Sequence, residues 1–346
     1  MKLGWLAAAV AALIAATPMA AKAETSHKIL TFDDLDGWAN DDHQAALEVF
    51  QETCGDLNEV EWPSICALAT SKPDPRIFFE LLFRPVLIED GEPALFTGYF
   101  EPELEGSRQK SGKFRYPLYR TPPELVEGEL WLTRQSIETQ LPLAGRGLEI
   151  AWVDNPVDAF FLQVQGSGRI RLEDGSVIRV GYGGSNGHPY RSIGKELVRR
   201  GVYQPHQVSA QVIRNWVRRN PKEGTELLQT SPSFVFFRKI RDLSADKGPK
   251  GAMNRSITAL RTIAIDPAFV PLGAPVWLEK GGPLQMRRLM IAQDTGSAIK
   301  GAQRADIFYG SGDAAGRDAG KTRDPGRMIV LLPIDMAHAR AERAKP

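Results

Sequence analysis

Short runs of β-prone residues, separated by glycine and proline, constrain the fold of this 346-residue chain more than any other feature. They begin after Ala94 and recur as far as residue 332. Short strands with turn residues between them, at regular spacing, are typical of small β-barrels and β-sandwiches. The predicted strands are residues 95–100, 159–164, 169–172, 177–180, 262–265, 275–279, 288–292, 305–309 and 327–332. The pattern predicts a mainly β protein with some helices.

Helices are predicted between and around these strands. Apolar residues recur at helical spacing, or helix-favouring residues cluster, in residues 43–53, 71–83, 190–200, 209–219 and 336–345, the last being a helix or a frayed end. Asn220-Pro221 ends the fourth of these, because proline cannot extend a helix. Asp174-Gly175 predicts a tight hairpin turn. The polar loop at residues 244–250 is a candidate domain junction.

The first 23 residues have the pattern of an export signal. Met1-Lys2 is a short basic start, residues 3–16 are apolar, and Ala21-Lys22-Ala23 is a small-x-small cleavage site. The apolar run is shorter than the roughly 20 residues that span a bilayer, and no later segment is long and apolar enough to cross one. The alternative is a buried N-terminal helix. We expect export to the periplasm with removal of residues 1–23.

Composition argues against two classes of function. The chain has 43 Lys and Arg against 42 Asp and Glu, whereas nucleic-acid-binding proteins usually have a clear basic excess. The five histidines are scattered and lack the spacing of metal ligands. We therefore expect no nucleic-acid partner, no metal and no other cofactor.

The two cysteines, Cys54 and Cys66, are close in sequence. In an oxidising compartment they could form a disulfide worth about 3 kcal/mol in the loop-entropy account. The alternative is two free, buried thiols. In both cases their role is structural.

Three aspartates in the C-terminal third are candidates for chemistry. Asp266, Asp294 and Asp306 each lie at the end or edge of a β-prone run, in the strings IAIDP, IAQDTG and RADIF. A single aspartate in such a place is most simply a turn residue that caps neighbouring amides. Three in apolar settings within one third of the chain indicate a site.

A second pattern, residues 183–187 (GGSNG), matches the G-x-S-x-G nucleophile elbow of serine hydrolases. A β-prone run precedes it, so Ser185 is a candidate nucleophile with His206 or His338 as its base. However, that fold requires many alternating strands and helices, and this chain is β-rich. The serine hydrolase is therefore the weaker alternative.

Residues 97–102 (TGYFEP), 161–168 (FLQVQGSG) and 180–188 (VGYGGSNGH) resemble the signatures of the membrane-bound lytic transglycosylase A (MltA) family. The three aspartates match those of that family's C-terminal 3D domain. The resemblance implies a double-psi β-barrel built from residues 24–103 and 240–346. A smaller β-domain, residues 104–239, would be inserted between them, and a groove would separate the two.

The resemblance also implies cleavage of the β-1,4 bond between N-acetylmuramic acid and N-acetylglucosamine in peptidoglycan, with Asp306 as the catalytic residue. Ordinary glycosidases need two carboxyl groups. In muramic acid the C6 hydroxyl can attack C1 of its own ring, and effective molarities of such reactions reach about 10⁵ M or more. One carboxyl group that first donates and then accepts a proton would suffice, leaving a 1,6-anhydro end.

This mechanism requires Asp306 to be protonated at rest. Its pKa should be raised by burial or by a neighbouring carboxylate, for which Asp294 is the candidate. Asp294 could equally hold the geometry or cap the turn at Thr295-Gly296. Asp266 is expected to support the barrel, so that its loss affects stability before activity.

Glycan binding should use flat rings and amides. The candidates are Thr97, Tyr99, Phe100, Gln163, Gln165, Ser167, Tyr182 and Lys300. Gln163 and Gln165 are expected to alternate on one strand and point the same way, and Phe100 fits the core equally well. The expected partner is the peptidoglycan glycan strand; the main alternative is a non-catalytic glycan-binding barrel.

One feature departs from the family. Well-known members are outer-membrane lipoproteins, and no cysteine follows Ala23 in a position to carry a lipid. Association with the outer membrane is left open, as are protein partners.

Overall fold

The computed structural model describes residues 24–57, 59–244 and 246–343. The predicted export signal, residues 1–23, lies outside these ranges, as do residues 344 and 345 of the predicted C-terminal helix. Short 3-10 turns are found at Phe32–Asp34, Trp38–Asn40, Cys54–Asp56 and Pro205–Gln207. The α-helices are α1 His43–Thr53, α2 Trp62–Thr70, α3 Pro75–Leu82, α4 Arg134–Gln140, α5 Pro156–Gln165, α6 Ile193–Arg199, α7 Ala210–Arg219, α8 Pro221–Gln229, α9 Gly312–Lys321 and α10 Ile334–Arg343.

The strands form two sheets, so the mainly β prediction is confirmed. They are β1 Ser26–Ile29, β2 Phe83–Glu89, β3 Leu95–Glu101, β4 Glu103–Ser107, β5 Tyr116–Tyr119, β6 Glu149–Val153, β7 Gly168–Leu172, β8 Val177–Ser185, β9 Val235–Ile240, β10 Thr262–Ile265, β11 Pro275–Lys280, β12 Met286–Thr295, β13 Arg304–Ser311, β14 Arg323–Asp324 and β15 Gly326–Pro333.

The first sheet draws its strands from both ends of the chain, in the order β1-β2-β15-β11-β12-β10-β13-β3-β14. Most neighbours are antiparallel, but β12 pairs with β10, and β13 with β3, in parallel. The second sheet has the order β5-β6-β4-β7-β8-β9. Its two edges approach each other where Arg120, just after β5, bridges Phe237 of β9, so that this sheet is nearly closed.

The N-terminal helices pack against the first sheet through a cluster of aromatic rings. Phe50 of α1 contacts Trp62 of α2 and Phe79 of α3, with ring centroids 6.1 and 6.3 Å apart. Cys54 and Cys66 are joined in a disulfide between the end of α1 and α2. The bridge closes a short loop beside the aromatic cluster.

The strand predicted at residues 159–164 is wrong, because these residues belong to helix α5. Asn155 caps that helix, its side chain accepting hydrogen bonds from the amides of Val157 and Asp158. Pro156 occupies the first turn, where its missing N–H costs nothing, and Gly166 ends the helix with φ of 76°. A short apolar run does not distinguish a buried strand from a buried helix, so only the capping residues at its two ends indicate a helix.

The other predicted strands and helices are found close to the expected positions. The helix predicted at residues 71–83 begins only at Pro75, because Asp74 caps it by accepting from the amide of Ile77. The turn at Asp174-Gly175 joins β7 to β8 as an antiparallel hairpin. No helix in the part of the chain that the structure describes is long and apolar enough to cross a membrane.

Candidate active site

Four side chains form a row across neighbouring strands of the first sheet. In the register, Ala264 lies opposite both Asp294 of β12 and Asp306 of β13. Asp306 in turn lies opposite Thr97 of β3. Residues directly opposite each other in a sheet project from the same face. The two carboxylates therefore share a face, with their Cα atoms about 10 Å apart because two strand spacings separate them.

A β-bulge places Asp294 in this row. The β10–β12 register shifts by one residue between Ile263 and Ala264, so that Ala264 pairs with Asp294 and not with Gln293. A shift of one residue reverses the face to which a side chain points. Gln293 is accordingly buried, where it hydrogen-bonds Thr262 and Thr53. The methyl group of Ala264 is small enough to leave space between the two carboxylates.

Asp306 receives a hydrogen bond whose direction the structure defines. The Thr97 hydroxyl lies 2.6 Å from Asp306 Oδ1, and Arg304 Nη2 lies 2.8 Å from the same hydroxyl. A guanidinium can only donate, so Thr97 Oγ1 accepts from Arg304 and gives its single proton to Asp306. Oδ1 is thus occupied as an acceptor, which leaves Oδ2 as the oxygen that can carry an acidic proton.

The surroundings of Asp306 favour its neutral form. Burial raises the pKa of this carboxyl above its ordinary value, while the Thr97 hydrogen bond and the Arg304 charge lower it by less. Part of the residue remains accessible to solvent, so a substrate can reach it. An accessible carboxyl group with a raised pKa is suited to act as a general acid.

The side chain of Asp294 accepts more hydrogen bonds than that of Asp306. Tyr99 donates its hydroxyl proton to Oδ2 over 2.8 Å, and the amides of Ala252 and Thr295 donate to Oδ1 over 2.9 Å each. Burial raises the pKa of Asp294 to about 6, with a smaller contribution from the negative charge of Asp306. Burial and Asp294 also raise the pKa of Tyr99, so its hydroxyl stays protonated as a donor.

Several predicted substrate-binding residues lie at this site or beside it. Thr97 and Tyr99 contact the two aspartates directly. The backbone amide of Phe100 donates to Gln165 Oε1 at 3.2 Å, and its ring packs against Gly316 of α9. Gln165 therefore reaches from the end of α5 to β3.

The expectation for the glutamine pair is wrong. Gln163 and Gln165 lie on helix α5, where residues two apart do not face the same way. Gln163 is buried, and its side-chain oxygen accepts from Arg134 and from the amide of Val235. That amide oxygen is occupied within the protein, whereas Gln165 remains partly accessible.

The remaining predicted residues are spread more widely. Tyr182 lies on β8 and is 47% exposed, and Ser167 is partly exposed in the turn between α5 and β7. Lys300 is exposed, with its Nζ 3.6 Å from Asp266 Oδ1 and not paired with Asp294 or Asp306. Asp266 is buried and accepts from the amides of Ala268 and Gly301, so it organises two loops of the first sheet.

Ser185 lacks the surroundings of a hydrolase nucleophile. It is the last residue of β8, and the next helix, α6, begins only at Ile193. Within the ranges that the structure describes, its hydroxyl has no hydrogen bond to a histidine; its contact is the amide of Gly187. In the same ranges, no three His, Cys, Asp or Glu side chains are grouped as metal ligands would be.

Glu101 connects the two sheets and was not singled out from the sequence. It is the last residue of β3, and its side chain is 1% exposed. It accepts from Arg169 of β7 at 2.8 Å, from Arg179 of β8 at 3.1 Å, and from the Ser311 hydroxyl at 2.7 Å. Both arginines also donate to the carbonyl of Lys247, in the predicted junction loop. The sequence also did not indicate Arg304, which donates to Thr97, or Ala252, whose amide donates to Asp294.

Thr97→Val is expected to lower kcat about tenfold and to move the upper limb of the pH–rate profile to higher pH. Valine has the same shape but no donor, so it cannot stabilise the carboxylate that forms when Asp306 gives its proton to the substrate. A hydrogen bond to a charged group is worth about 1.5–3 kcal/mol. The Thr97 bond lowers the pKa of Asp306, so its loss raises that pKa and keeps the acid protonated at higher pH. Rates from pH 4 to 9 measure both effects, with Thr139→Val on α4 as control. An unchanged profile would contradict the role of Thr97.

Two protein families and several known proteins match this chain. Residues 95–238 match the family described as the MltA specific insert domain, and residues 261–332 match the 3D domain. The chain is 35% identical to membrane-bound lytic murein transglycosylase A of Vibrio cholerae over 73% of its own length and 68% of that protein. It is also 35% identical to the Escherichia coli K12 protein of that name, over 68% and 65% of the two chains.

Solved structures of lytic transglycosylases are also similar to this chain. A membrane-bound lytic murein transglycosylase from Agrobacterium tumefaciens is similar with a TM-score of 0.80 at 32% identity, over 92% of this chain and 100% of that one. MltA from Neisseria gonorrhoeae gives 0.77 at 30% identity, over 89% and 93%. Escherichia coli MltA with bound chitohexaose gives 0.72 at 28% identity, over 91% and 96%.

Proposed function

Because the chain belongs to the membrane-bound lytic murein transglycosylase A family, we propose that it cleaves peptidoglycan with Asp306 as its single acid and base. It is a lytic transglycosylase, an enzyme that acts on peptidoglycan glycan strands. The observation that supports this role for Asp306 is its environment. The carboxyl is partly accessible, its pKa is raised by burial, and one of its oxygens is occupied by Thr97.

In the proposed reaction Asp306 protonates the oxygen between N-acetylmuramic acid and N-acetylglucosamine, using the proton on Oδ2. The bond from that oxygen to C1 of the muramic residue breaks, and N-acetylglucosamine leaves with a free 4-hydroxyl. The C6 hydroxyl of the same muramic residue then bonds to C1 and returns its proton to Asp306. The product is a 1,6-anhydro sugar, and the carboxyl group is regenerated.

Asp294 is poorly placed to be a second catalytic carboxylate. An inverting hydrolase needs a base with a free oxygen that holds the attacking water. Both oxygens of Asp294 already accept hydrogen bonds, one from Tyr99 and two from backbone amides. We assign Asp294 to holding Tyr99 and residues 252 and 295 in place, and to adding negative potential near Asp306.

The finer architecture is also a proposal. The first sheet and its helices would form a double-psi β-barrel domain of residues 24–103 and 240–346. The second sheet would belong to an inserted domain of residues 104–239, with the glycan bound between them. The two family matches, residues 95–238 and 261–332, support this division. Substrate contacts are assigned to Tyr99, Phe100, Gln165, Ser167, Tyr182 and Lys300.

Peptidoglycan lies outside the cytoplasmic membrane, and the similar proteins of Vibrio cholerae and Escherichia coli are named membrane-bound. An envelope location follows from this substrate. We propose that residues 1–23 direct export to the periplasm.

Digestion of purified sacculi is expected to release muropeptides that end in 1,6-anhydromuramic acid. Mass spectrometry detects the anhydro end as a product lighter by one water than a hydrolytic end. A control digestion in ¹⁸O-labelled water should leave the new ends unlabelled, because C1 is attacked by the C6 hydroxyl. Labelled reducing ends would indicate hydrolysis and a second carboxylate. A glycan-binding protein without activity would release no soluble fragments.

A further inference from the structure

Four cationic side chains lie together at the seam of the second sheet: Arg108, Arg120, Lys239 and Arg241. We call them the cationic patch. Arg120 is next to Phe237 across the seam, and Lys239 lies near the end of β9. Around them is a shallow depression of about 390 Å³, lined by Arg120, Thr121, Gly183, Phe237, Arg238, Lys239 and Arg241.

The members of the patch form no ion pair in the part of the chain that the structure describes, although Arg108 is close enough to Asp174 for their charges to interact. Among the described residues, none of its members has a carboxylate oxygen within the 4.0 Å of an ion pair. Arg108 donates to the Ser176 hydroxyl and Arg120 to the carbonyl of Gly147, both neutral acceptors. The chain as a whole is close to neutral, so this cluster does not follow from composition.

The members of the patch repel one another. Burial lowers the pKa of Lys239, and the charges of Arg108, Arg241 and Arg120 lower it further. A bound anion would relieve this repulsion, and uncompensated cations in a concave surface attract anionic ligands.

A series of contacts links the depression to the candidate active site. Gly183, in its lining, follows Tyr182 on β8. Arg238, also in the lining, donates to the carbonyl of Tyr182 at 3.2 Å and to Asn254 Oδ1 at 3.3 Å. Asn254 is two residues from Ala252, whose amide holds Asp294. A ligand attached to a glycan at the site could therefore reach the patch.

We propose that the cationic patch binds carboxylates of the peptides attached to the glycan strand. This inference rests on the proposed function, which supplies the glycan. In peptide-bearing strands the lactyl carboxyl of each muramic acid is part of the amide bond to its peptide, so the glycan backbone carries no charge, whereas the stem peptides carry free carboxylates. Because each peptide is covalently attached to a bound sugar, its effective concentration near the patch is high, and individually weak contacts become useful.

The test compares two substrates: glycan strands that carry their peptides, and the same strands after an amidase has removed them. The amidase leaves a lactyl carboxylate directly on each muramic acid but removes the carboxylates that the peptide carries away from the sugar. Lys239→Gln combined with Arg241→Gln removes two patch charges and leaves all residues of the proposed catalytic site unchanged. Arg218→Gln with Lys222→Gln, exposed at α7 and α8, is the matched control. Thermal unfolding of both double variants checks that they fold.

On peptide-bearing strands the patch variant is expected to raise KM about fivefold with kcat unchanged, because exposed ion pairs contribute modestly and equally to ground and transition states. KM on peptide-free strands should stay the same, and the control variant should match the wild type on both. Equal KM increases on the two substrates, or no increase on either, would overturn the proposal.

A binding measurement separates this inference from the proposed function. A soluble disaccharide-peptide lacks the scissile bond, so calorimetry reports its affinity whether or not the protein cleaves peptidoglycan. Weaker binding by the patch variant supports the proposal even if turnover fails. Unchanged affinity overturns it. Loss of binding to phosphatidylglycerol vesicles, without loss of peptide binding, would assign the patch to a lipid surface and also overturn it.

Discussion

Asp306→Asn is expected to reduce turnover on sacculi by at least about 10² to 10⁴-fold, because general acid–base catalysis is worth that much and one group would serve both halves of the reaction. Asparagine keeps the size of the side chain and its acceptor for Thr97, but has no acidic proton. The variant should fold and still bind glycan. Muropeptide release per unit time, quantified by chromatography, measures the loss.

Asp294→Asn is the matched control for that variant. Its oxygen could accept from the amides of Ala252 and Thr295, and its NH₂ group could donate to the Tyr99 oxygen. The hydrogen-bond network would survive with a smaller loss of activity than in Asp306→Asn. If Asp306→Asn kept most of its turnover, or if Asp294→Asn were the more damaging change, the assignment of the catalytic residue would be wrong.

Glu101→Gln is expected to lower the free energy of unfolding by about 3–5 kcal/mol, because removing one partner of a buried ion pair leaves uncompensated charge. Two guanidinium groups, of Arg169 and Arg179, would remain beside a neutral amide at the junction of the sheets. Urea unfolding followed by fluorescence measures the change. Activity should fall too, since Gln165 of α5 contacts β3 at Phe100, the residue next to Glu101.

Glu103→Gln is the control for this second variant. Glu103 pairs with Arg171, but both side chains are substantially exposed, at 30% and 55%. Exposed pairs contribute about 0–1 kcal/mol, so this variant should unfold almost like the wild type. Equal effects of the two substitutions would mean that Glu101 does not hold the sheets together.

Six of the nine strands of the first sheet, and the helices α1 and α7, were predicted from local signals, whereas β1, β2 and β14 were not. Alternation, turn residues and caps act within a few residues of one another, so they can be read along the chain. The candidate aspartates could be recognised for a similar reason, since each stands in a short motif of its own strand. Helix α5 was missed because its ten residues fit a buried strand as well as a helix, and only Asn155, Pro156 and Gly166 distinguish them.

The sequence by itself determined a mainly β protein, its family resemblance and the identities of Asp294 and Asp306. Only the tertiary structure determines which side chains contact these two aspartates, and therefore what each carboxyl group can do. Thr97 is 209 residues from Asp306, and Tyr99 is 195 residues from Asp294. Contacts of this kind depend on strand order, on register and on one bulge, which no local pattern encodes. The direction of the Arg304–Thr97–Asp306 hydrogen bonds, the burial of Glu101 and the unpaired cationic patch arise in the same way, because pKa and pairing depend on what the fold brings near each charge.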